Sequence, residues 1–203
     1  MTFADLGLSD ELLRAVTESG YDTPTPIQAQ AIPSVLMMKD IIGIAQTGTG
    51  KTASFVLPMI DIMASGRRRA LMPRSLILAP TRELAAQVAE NFEKYGKNHD
   101  LKLALLIGGV QMGDQVKALN DGVDVLIATP GRLMDLFERG KILLNGCELL
   151  VIDEAYLSFV SGPWDSMGLP APDNVVLLRS MTKDYALTGL RLGYAIASEN
   201  VIA

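Results

Sequence analysis

The chain has 203 residues, of which 49% are hydrophobic and 20% charged, a composition typical of a globular chain that can bury a core. Its formal charge of −5 excludes the global positive field of many nucleic-acid binders. No apolar run approaches the ~18 residues of a membrane span, and the N-terminus lacks the basic and apolar segments of a secretion signal. With a single cysteine, Cys147, we expect a cytoplasmic protein without a membrane partner.

Short runs of Ile, Leu and Val alternate with amphipathic segments along the chain. This alternation predicts an α/β fold with a doubly wound, mostly parallel sheet and helices on both faces. The predicted strands are Asp40–Ala45, Ser75–Ala79, Lys102–Ile107, Asp124–Ala128, Glu148–Ile152, Val175–Arg179 and Tyr194–Ala197. The predicted helices are Ser9–Ser19, Pro26–Met37, Lys51–Ala64, Arg82–Tyr95, Gln111–Asn120 and Gly131–Arg139. The sixth strand is expected to pair beside the fifth, and the last strand to be antiparallel.

A glycine-rich segment follows the first predicted strand and opens a helix. It reads Ala45-Gln46-Thr47-Gly48-Thr49-Gly50-Lys51-Thr52, a pattern typical of a phosphate-binding loop. Its glycines let main-chain N–H groups face phosphate oxygens, and the helix start adds its positive dipole end. Lys51 would reach the β- and γ-phosphates, and the Thr52 hydroxyl would ligate Mg²⁺. We therefore expect ATP or ADP with Mg²⁺ as the bound cofactor.

Further segments resemble motifs of the DEAD-box RNA helicases. In chain order they are Gly20–Gln28 with Phe3 upstream, Ala45–Thr52, Pro80–Leu84, Gly108-Gly109, Thr129–Arg132 and Val151–Ala155. Pro80–Leu84, Gly108-Gly109 and Thr129–Arg132 each end a predicted strand. Ligand sites of α/β sheets lie at such strand ends. The resemblance covers about residues 1–155 and implies the RecA-like fold of a P-loop NTPase.

The resemblance also implies roles for single residues. Gln28 would contact the adenine edge, with Phe3 or Tyr21 near the base, and the phosphates would contact Gln46, Thr47, Gly48, Thr49, Gly50, Lys51 and Thr52. Asp153 would hold Mg²⁺ through water, and Glu154 would orient or deprotonate the attacking water, so the implied catalytic residues are Lys51, Asp153 and Glu154. The implied contacts to an RNA backbone are Thr81, Arg82, Gly109, Thr129 and Arg132. The alternative is that these arginines are solvated helix starts and that the glycines form a simple turn.

Two departures from the helicase pattern weaken the expected activity. Tyr156 stands where the family motif has its last Asp, so a carboxylate that links the ATP and RNA sites in the family is missing. A second domain, which in the family supplies an arginine finger and half of the RNA clamp, is expected to be absent. We expect very weak or no ATPase and no unwinding by this chain alone.

The C-terminal part resembles a different family, the fold-type I PLP aminotransferases of the histidinol-phosphate aminotransferase kind. The resemblance rests on Asp153, Tyr156, Lys183 and Arg191 and covers about residues 150–203. In that family the residue at the position of Asp153 pairs with the pyridine nitrogen, and the one at Tyr156 contacts the ring hydroxyl. The residue at Lys183 forms the Schiff base, and the one at Arg191 holds the phosphate. No upstream segment matches the rest of that pocket. We therefore expect these residues to be inherited without function, and no bound PLP.

The two resemblances overlap in the strand that ends at Asp153. We interpret the chain as a chimera, engineered rather than natural, that forms one α/β domain over residues 1–203. Residues 1–155 would be the helicase-like part, and residues 156–203 the aminotransferase-like part that completes the sheet. Three hypotheses stay open: a nucleotide-binding module, a vestigial PLP enzyme that uses Lys183, and a structural chimera without activity. The expected partner is a nucleotide, with weak or absent RNA binding and no DNA binding.

Two isolated residues have simpler interpretations. His99 is predicted to be a solvated loop residue, because polar residues surround it. Cys147, just before an apolar strand, is predicted to be a small apolar filler.

Overall fold

The computed structural model describes residues 1–37, 50–66, 72–153, 175–180 and 193–196. Its centre is a six-stranded sheet in the order β2-β3-β1-β4-β5-β6. The strands are β1 (Ser75–Leu78), β2 (Leu103–Leu106), β3 (Val125–Ala128), β4 (Leu149–Asp153), β5 (Val175–Ser180) and β6 (Gly193–Ile196). The first five are parallel, and β6 pairs with β5 in the antiparallel direction.

Six α-helices and one short 3₁₀ turn, Phe3–Leu6, surround this sheet in the described part of the chain. The helices are α1 (Asp10–Glu18), α2 (Pro26–Leu36), α3 (Lys51–Ser65), α4 (Arg82–Gly96), α5 (Met112–Asn120) and α6 (Pro130–Glu138). Ser9 caps α1 as predicted, because its Oγ accepts a hydrogen bond from the N–H of Leu12 at 3.3 Å. Pro26 opens α2, where its missing N–H costs no helical hydrogen bond.

Two separate cores lie on opposite faces of the sheet. Neighbouring strand residues alternate between them: Ile77 belongs to the core under α1, α3 and α4, and Leu76 to the core under α5 and α6. The crossover from β1 to β2 uses α4 on one face, whereas the chain returns through β3 to β4 with α5 and α6 on the other. Because the chain crosses the sheet in opposite directions on its two faces, all of these crossover connections have the same handedness. The predicted doubly wound α/β sheet is confirmed.

The predicted elements agree with the described ones to within one or two residues. The predicted strand Asp40–Ala45 lies outside the described residues. The pairing of β5 beside β4, with Val151 opposite Val176, and the antiparallel direction of β6 follow the prediction. Among the described residues no helix is both long and apolar enough to cross a membrane.

The prediction for His99 is wrong. Its side chain is 6% exposed and lies between the N-terminus of α1 and α3. Its Nε2 is 3.5 Å from Ser9 Oγ and 3.7 Å from Asp61 Oδ1, while Ser9 donates both its N–H and its hydroxyl to Asp61. The polar neighbours of His99 in the sequence gave no sign of this burial, because its partners lie far away along the chain.

Candidate functional site

The strands β1, β2 and β3 are parallel neighbours, so their carboxyl ends meet at one edge of the sheet. Each of these ends leads into one segment of the predicted RNA site. These segments are Pro80–Leu84 after β1, Gly108-Gly109 after β2 and Thr129–Arg132 after β3. The sheet therefore brings together three segments that are far apart in the sequence.

An open cleft of about 590 Å³ lies where the three segments meet. It is lined by Pro80, Thr81, Arg82, Glu83, Gly108, Thr129, Gly131 and Arg132. Two helices, α4 and α6, begin at this cleft, with Thr81 and Thr129 as their N-cap residues. Free N–H groups and positive dipole ends at helix starts favour anions, and two arginines against one glutamate give the lining a positive balance.

The first arginine of the cleft lies against the glycine turn. A Cβ built on Gly109 would be 2.5 Å from Nη1 of Arg82, and one built on Gly108 would be 3.1 Å from Nη2. Gly109 also has a φ of +82°, a left-handed conformation that other residues adopt at a cost. The backbone conformation favours glycine at position 109, and the Arg82 guanidinium occupies the space that a side chain there would take.

The second arginine is held by the segment after β2. The Nη1 and Nη2 atoms of Arg132 each lie 3.4 Å from the carbonyl oxygen of Val110, and Nη1 also donates to Oε1 of Gln115 at 3.1 Å. Arg132 is half-buried, in contrast to the exposed Arg82. The alternative of a simply solvated arginine therefore does not describe Arg132.

The expected nucleotide site is described at its helix end. Lys51 and Thr52 form the first turn of α3, and Gly50 before them has a φ of +84°. The Nε2 atom of Gln28, on α2, donates to the Gly50 carbonyl oxygen at 3.2 Å. A Cβ on Gly50 would collide with this amide. The residue expected to contact adenine thus lies next to the residues expected to contact phosphate.

The two aromatic candidates for base packing, Phe3 and Tyr21, each have contacts within the described fold. Phe3 is 5% exposed and belongs to the core around α1 and α3. Tyr21 packs edge-on against Tyr95 with 6.3 Å between ring centroids, and Nζ of Lys94 lies 4.6 Å above the Tyr21 ring. Burial of the Tyr95 side chain raises its pKa to about 12, and the nearby Tyr21 adds to this increase.

Asp153 is the predicted catalytic residue that lies on a described strand. Asp153 is the last residue of β4, where its backbone lies opposite Leu178 of β5. The predicted site residues that lie outside the described ranges are Gln46, Thr47, Gly48, Thr49, Glu154, Tyr156, Lys183 and Arg191.

A family model for DEAD/DEAH box helicases matches residues 25–162, which is more than half of the chain. The chain belongs to the DEAD/DEAH box helicase family. It is 43% identical over 195 residues to the DEAD-box ATP-dependent RNA helicase 24 of rice, Oryza sativa subsp. japonica, a match that covers 93% of this chain and 25% of the relative. The ATP-dependent rRNA helicase rrp-3 of Neurospora crassa is 48% identical over 155 residues, with 76% of this chain and 30% of the relative covered.

Solved structures show the same relationship for this DEAD/DEAH box chain. A crystal structure of a DEAD box protein from the hyperthermophile Methanococcus jannaschii matches with a TM-score of 0.67 and 39% identity, covering 76% of this chain and 42% of that one. The fold is therefore that of the RecA-like domains of DEAD-box proteins. The chain spans only about a quarter to a third of the length of the curated relatives it matches.

A second family model, for class I and II aminotransferases, matches residues 127–203. It overlaps the helicase model over residues 127–162, and this overlap includes Asp153. The match to the rice helicase, which covers 93% of the chain, also extends beyond residue 155. Both families therefore share similarity with the C-terminal part.

Gln115 is not among the predicted site residues, although it contacts one of the cleft arginines. A signal was present in the helical period. Gln115 lies one turn before the buried Leu119, so a polar residue occupies the apolar face of α5.

Proposed function

We propose that this DEAD/DEAH box chain binds ATP or ADP with Mg²⁺ at the N-terminus of α3. The observation that carries the proposal is the contact between Gln28 and Gly50, which joins the expected adenine-binding residue to the turn that opens the phosphate-binding helix. Gly50 precedes a fifteen-residue helix whose first two residues are Lys51 and Thr52. A left-handed glycine, a helix start, a lysine and a hydroxyl are the groups that a nucleotide phosphate requires.

Each residue at this position has a proposed role. Lys51 binds the β- and γ-phosphates, and the N–H groups of the first turn of α3 donate to phosphate oxygens. The Thr52 hydroxyl would be a ligand of Mg²⁺ and the Asp153 carboxylate would hold the ion through water, and the bound ion would offset the phosphate charge. Glu154 orients or deprotonates the attacking water, and Gln46 to Thr49 complete the phosphate contacts.

The cleft at the ends of β1, β2 and β3 is proposed to bind an RNA backbone. The proposed contacts are Thr81, Arg82, Gly109, Thr129 and Arg132. Two arginines and the starts of α4 and α6 supply charge and donors for phosphates, and none of these groups reads a base. Because the chain carries a net charge of −5, we expect this binding to be weak and strongly dependent on salt.

We propose very weak or no ATP hydrolysis, and no strand separation, by a chain of these 203 residues acting alone. Tyr156 replaces the last carboxylate of the helicase motif. Residues 156–203 are proposed to be an aminotransferase-like part engineered onto the helicase-like part, and the family-model match over residues 127–203 supports this origin. The parallel pairing of β5 with β4 is compatible with such a junction, because a buried parallel strand continues the sheet of either parent.

Calorimetric titration of the chain with ADP and Mg²⁺ tests the nucleotide site. We expect saturable binding that weakens by about tenfold or more in Lys51→Ala, since the lysine supplies charge-assisted contacts to the phosphates. Lys141→Ala is the matched control, because Lys141 is an exposed lysine in the loop after α6. Equal affinity of Lys51→Ala and the intact chain would contradict the proposal.

Phosphate release and duplex separation test the proposed lack of activity. The chain is incubated with ATP, Mg²⁺ and a short RNA duplex, and we expect release close to the Lys51→Ala background and no single strands. ATP-dependent strand separation by the intact chain would overturn this part of the proposal and leave the binding site unaffected.

The aminotransferase model provides a second candidate function, PLP binding through Lys183. We propose that this function is absent. Incubation with pyridoxal phosphate, followed by gel filtration, should leave no visible absorbance with the protein. Absorbance that is retained by the intact chain and lost in Lys183→Ala would favour the second candidate. Failure of both nucleotide and PLP binding would indicate a structural chimera without activity.

A further inference from the structure

A buried glutamine lies behind the cleft. Gln115, in the middle of α5, is 5% exposed, although glutamine is mostly found at protein surfaces. Burying an amide is costly unless its donor and acceptor are both hydrogen-bonded. The contacts of this side chain therefore indicate what it does.

Both ends of the Gln115 amide are used. Nε2 donates to the carbonyl oxygen of Ile107 at 3.0 Å, and Oε1 accepts from Nη1 of Arg132 at 3.1 Å. Arg132 is a cleft residue on α6, whereas Ile107 directly follows β2. One side chain thus links three elements: the end of β2, helix α5 and the cleft arginine.

The link continues from Ile107 into the glycine turn. Ile107 is followed by Gly108-Gly109, the turn that receives the Arg82 guanidinium, and then by Val110, whose carbonyl oxygen lies near Arg132. Gln115 therefore holds Arg132 directly, and both side chains are hydrogen-bonded to main-chain carbonyl oxygens of the segment that follows β2.

A neutral amide has a specific advantage at this position. It restrains the guanidinium by accepting one of its five N–H donors, and it leaves the positive charge uncompensated. A glutamate would restrain the same group but neutralise it. An arginine that is already ordered loses less side-chain entropy when a phosphate binds.

We propose that Gln115 is a positioning residue that orients Arg132 towards an RNA phosphate. The proposal rests on the proposed RNA-binding function of the cleft. Gln115 does not contact RNA, so its effect passes through Arg132. The charge of the arginine remains available to the ligand because the residue that holds it is uncharged.

A double-mutant cycle on the full chain tests this proposal. Affinity for a fluorescein-labelled single-stranded uridine oligomer is measured by anisotropy at low salt for the intact chain, Gln115→Met, Arg132→Ala and the double variant. Methionine keeps the volume and removes both hydrogen bonds. We expect Gln115→Met to weaken binding by about three- to tenfold, and to have no further effect once Arg132 is alanine. Full additivity, or no effect of Gln115→Met alone, would overturn the proposal.

The controls separate folding from positioning. Gln87→Met, at an exposed glutamine of α4, should bind RNA like the intact chain. The urea unfolding transition of each variant reports whether it is folded, independently of any ligand. Should Gln115→Met fail to fold, Gln115→Glu provides the second variant. We expect it to reduce the slope of log affinity against log salt by about one, because the new carboxylate neutralises Arg132. An unchanged slope would contradict the proposal.

The cycle also separates the two proposals. If Arg132→Ala and Arg82→Ala bind the oligomer as well as the intact chain, the RNA function of the cleft fails and the role of Gln115 fails with it. If these arginine variants bind weakly while Gln115→Met and Gln115→Glu behave like the intact chain, the cleft function stands and only the positioning role is lost.

Discussion

Gln28 donates from Nε2 to the carbonyl oxygen of Gly50 at 3.2 Å, while its Oε1 accepts from the N–H of Thr25 at 2.9 Å. One buried side chain thus caps the start of α2 and holds the turn before α3. Each end of the amide retains one further hydrogen-bonding position. The amide can therefore serve a structural role and still contact an adenine edge.

Gln28→Met is expected to lower both stability and nucleotide affinity. It removes two hydrogen bonds from a buried site, which costs about 1–3 kcal/mol of unfolding free energy. Urea unfolding gives the first quantity and ADP titration the second. Gln30→Met, at an exposed position of the same helix, should change neither. A Gln28→Met chain with unchanged unfolding free energy would show that these bonds contribute nothing to stability.

Gly109→Ala is expected to lower stability by about 1–2 kcal/mol, because the alanine must adopt a left-handed conformation. Its Cβ would also displace the Arg82 guanidinium and weaken RNA binding. Gly113→Ala is the matched control, since nothing lies within 4 Å of a Cβ there and helical alanine is favoured. Thermal unfolding should rank the control at or above the intact chain and Gly109→Ala below it. The reverse ranking would contradict this account of the turn.

Arg74→Met is expected to lower the free energy of unfolding by about 2–4 kcal/mol. The Arg74 side chain is 3% exposed and donates to the carbonyl oxygen of Met63, near the end of α3, and to Oε2 of Glu148 at 3.3 Å. Removing the cation leaves a carbonyl and a carboxylate without this donor. The comparison is Arg139→Met, which removes an exposed pair with Asp135 and should cost less than about 1 kcal/mol. Similar unfolding free energies for the two variants would contradict the prediction.

Cys147 is expected to react with iodoacetamide at a higher pH than an exposed cysteine does. Burial raises the pKa of the Cys147 thiol above its usual 9.0, and the Sγ proton is donated to the carbonyl oxygen of Leu149. Alkylation rates against pH should therefore have their midpoint at higher pH in the folded chain than in urea. Since the folded pKa is raised, this thiol contributes stability below pH 9 that is lost as the pH rises. Coincident midpoints would show that the fold does not favour the neutral thiol.

Most of the elements could be predicted because their signals are local. The period of α4, the Thr81 cap and the apolar runs of β1 and β3 depend on neighbouring residues alone. The order of parallel strands then predicts which segments share an edge of the sheet. The two cleft arginines could be predicted for this reason, because each lies in a segment that resembles a family motif and follows the end of a strand.

The remaining features depend on contacts between distant residues. Gln115 and Arg132 are 17 residues apart, Arg74 and Glu148 are 74 apart, and Ser9 and His99 are 90 apart. No local pattern encodes such pairs, because packing of the helices against the sheet decides which polar groups are buried together. Local sequence patterns were sufficient to predict the helices and the strands, and they indicate the segment at the start of α3 that is proposed to bind phosphate. That a buried amide holds Arg132 and that His99 is enclosed depends on the tertiary structure, because packing of the helices against the sheet brings these residues to partners that are distant in the sequence.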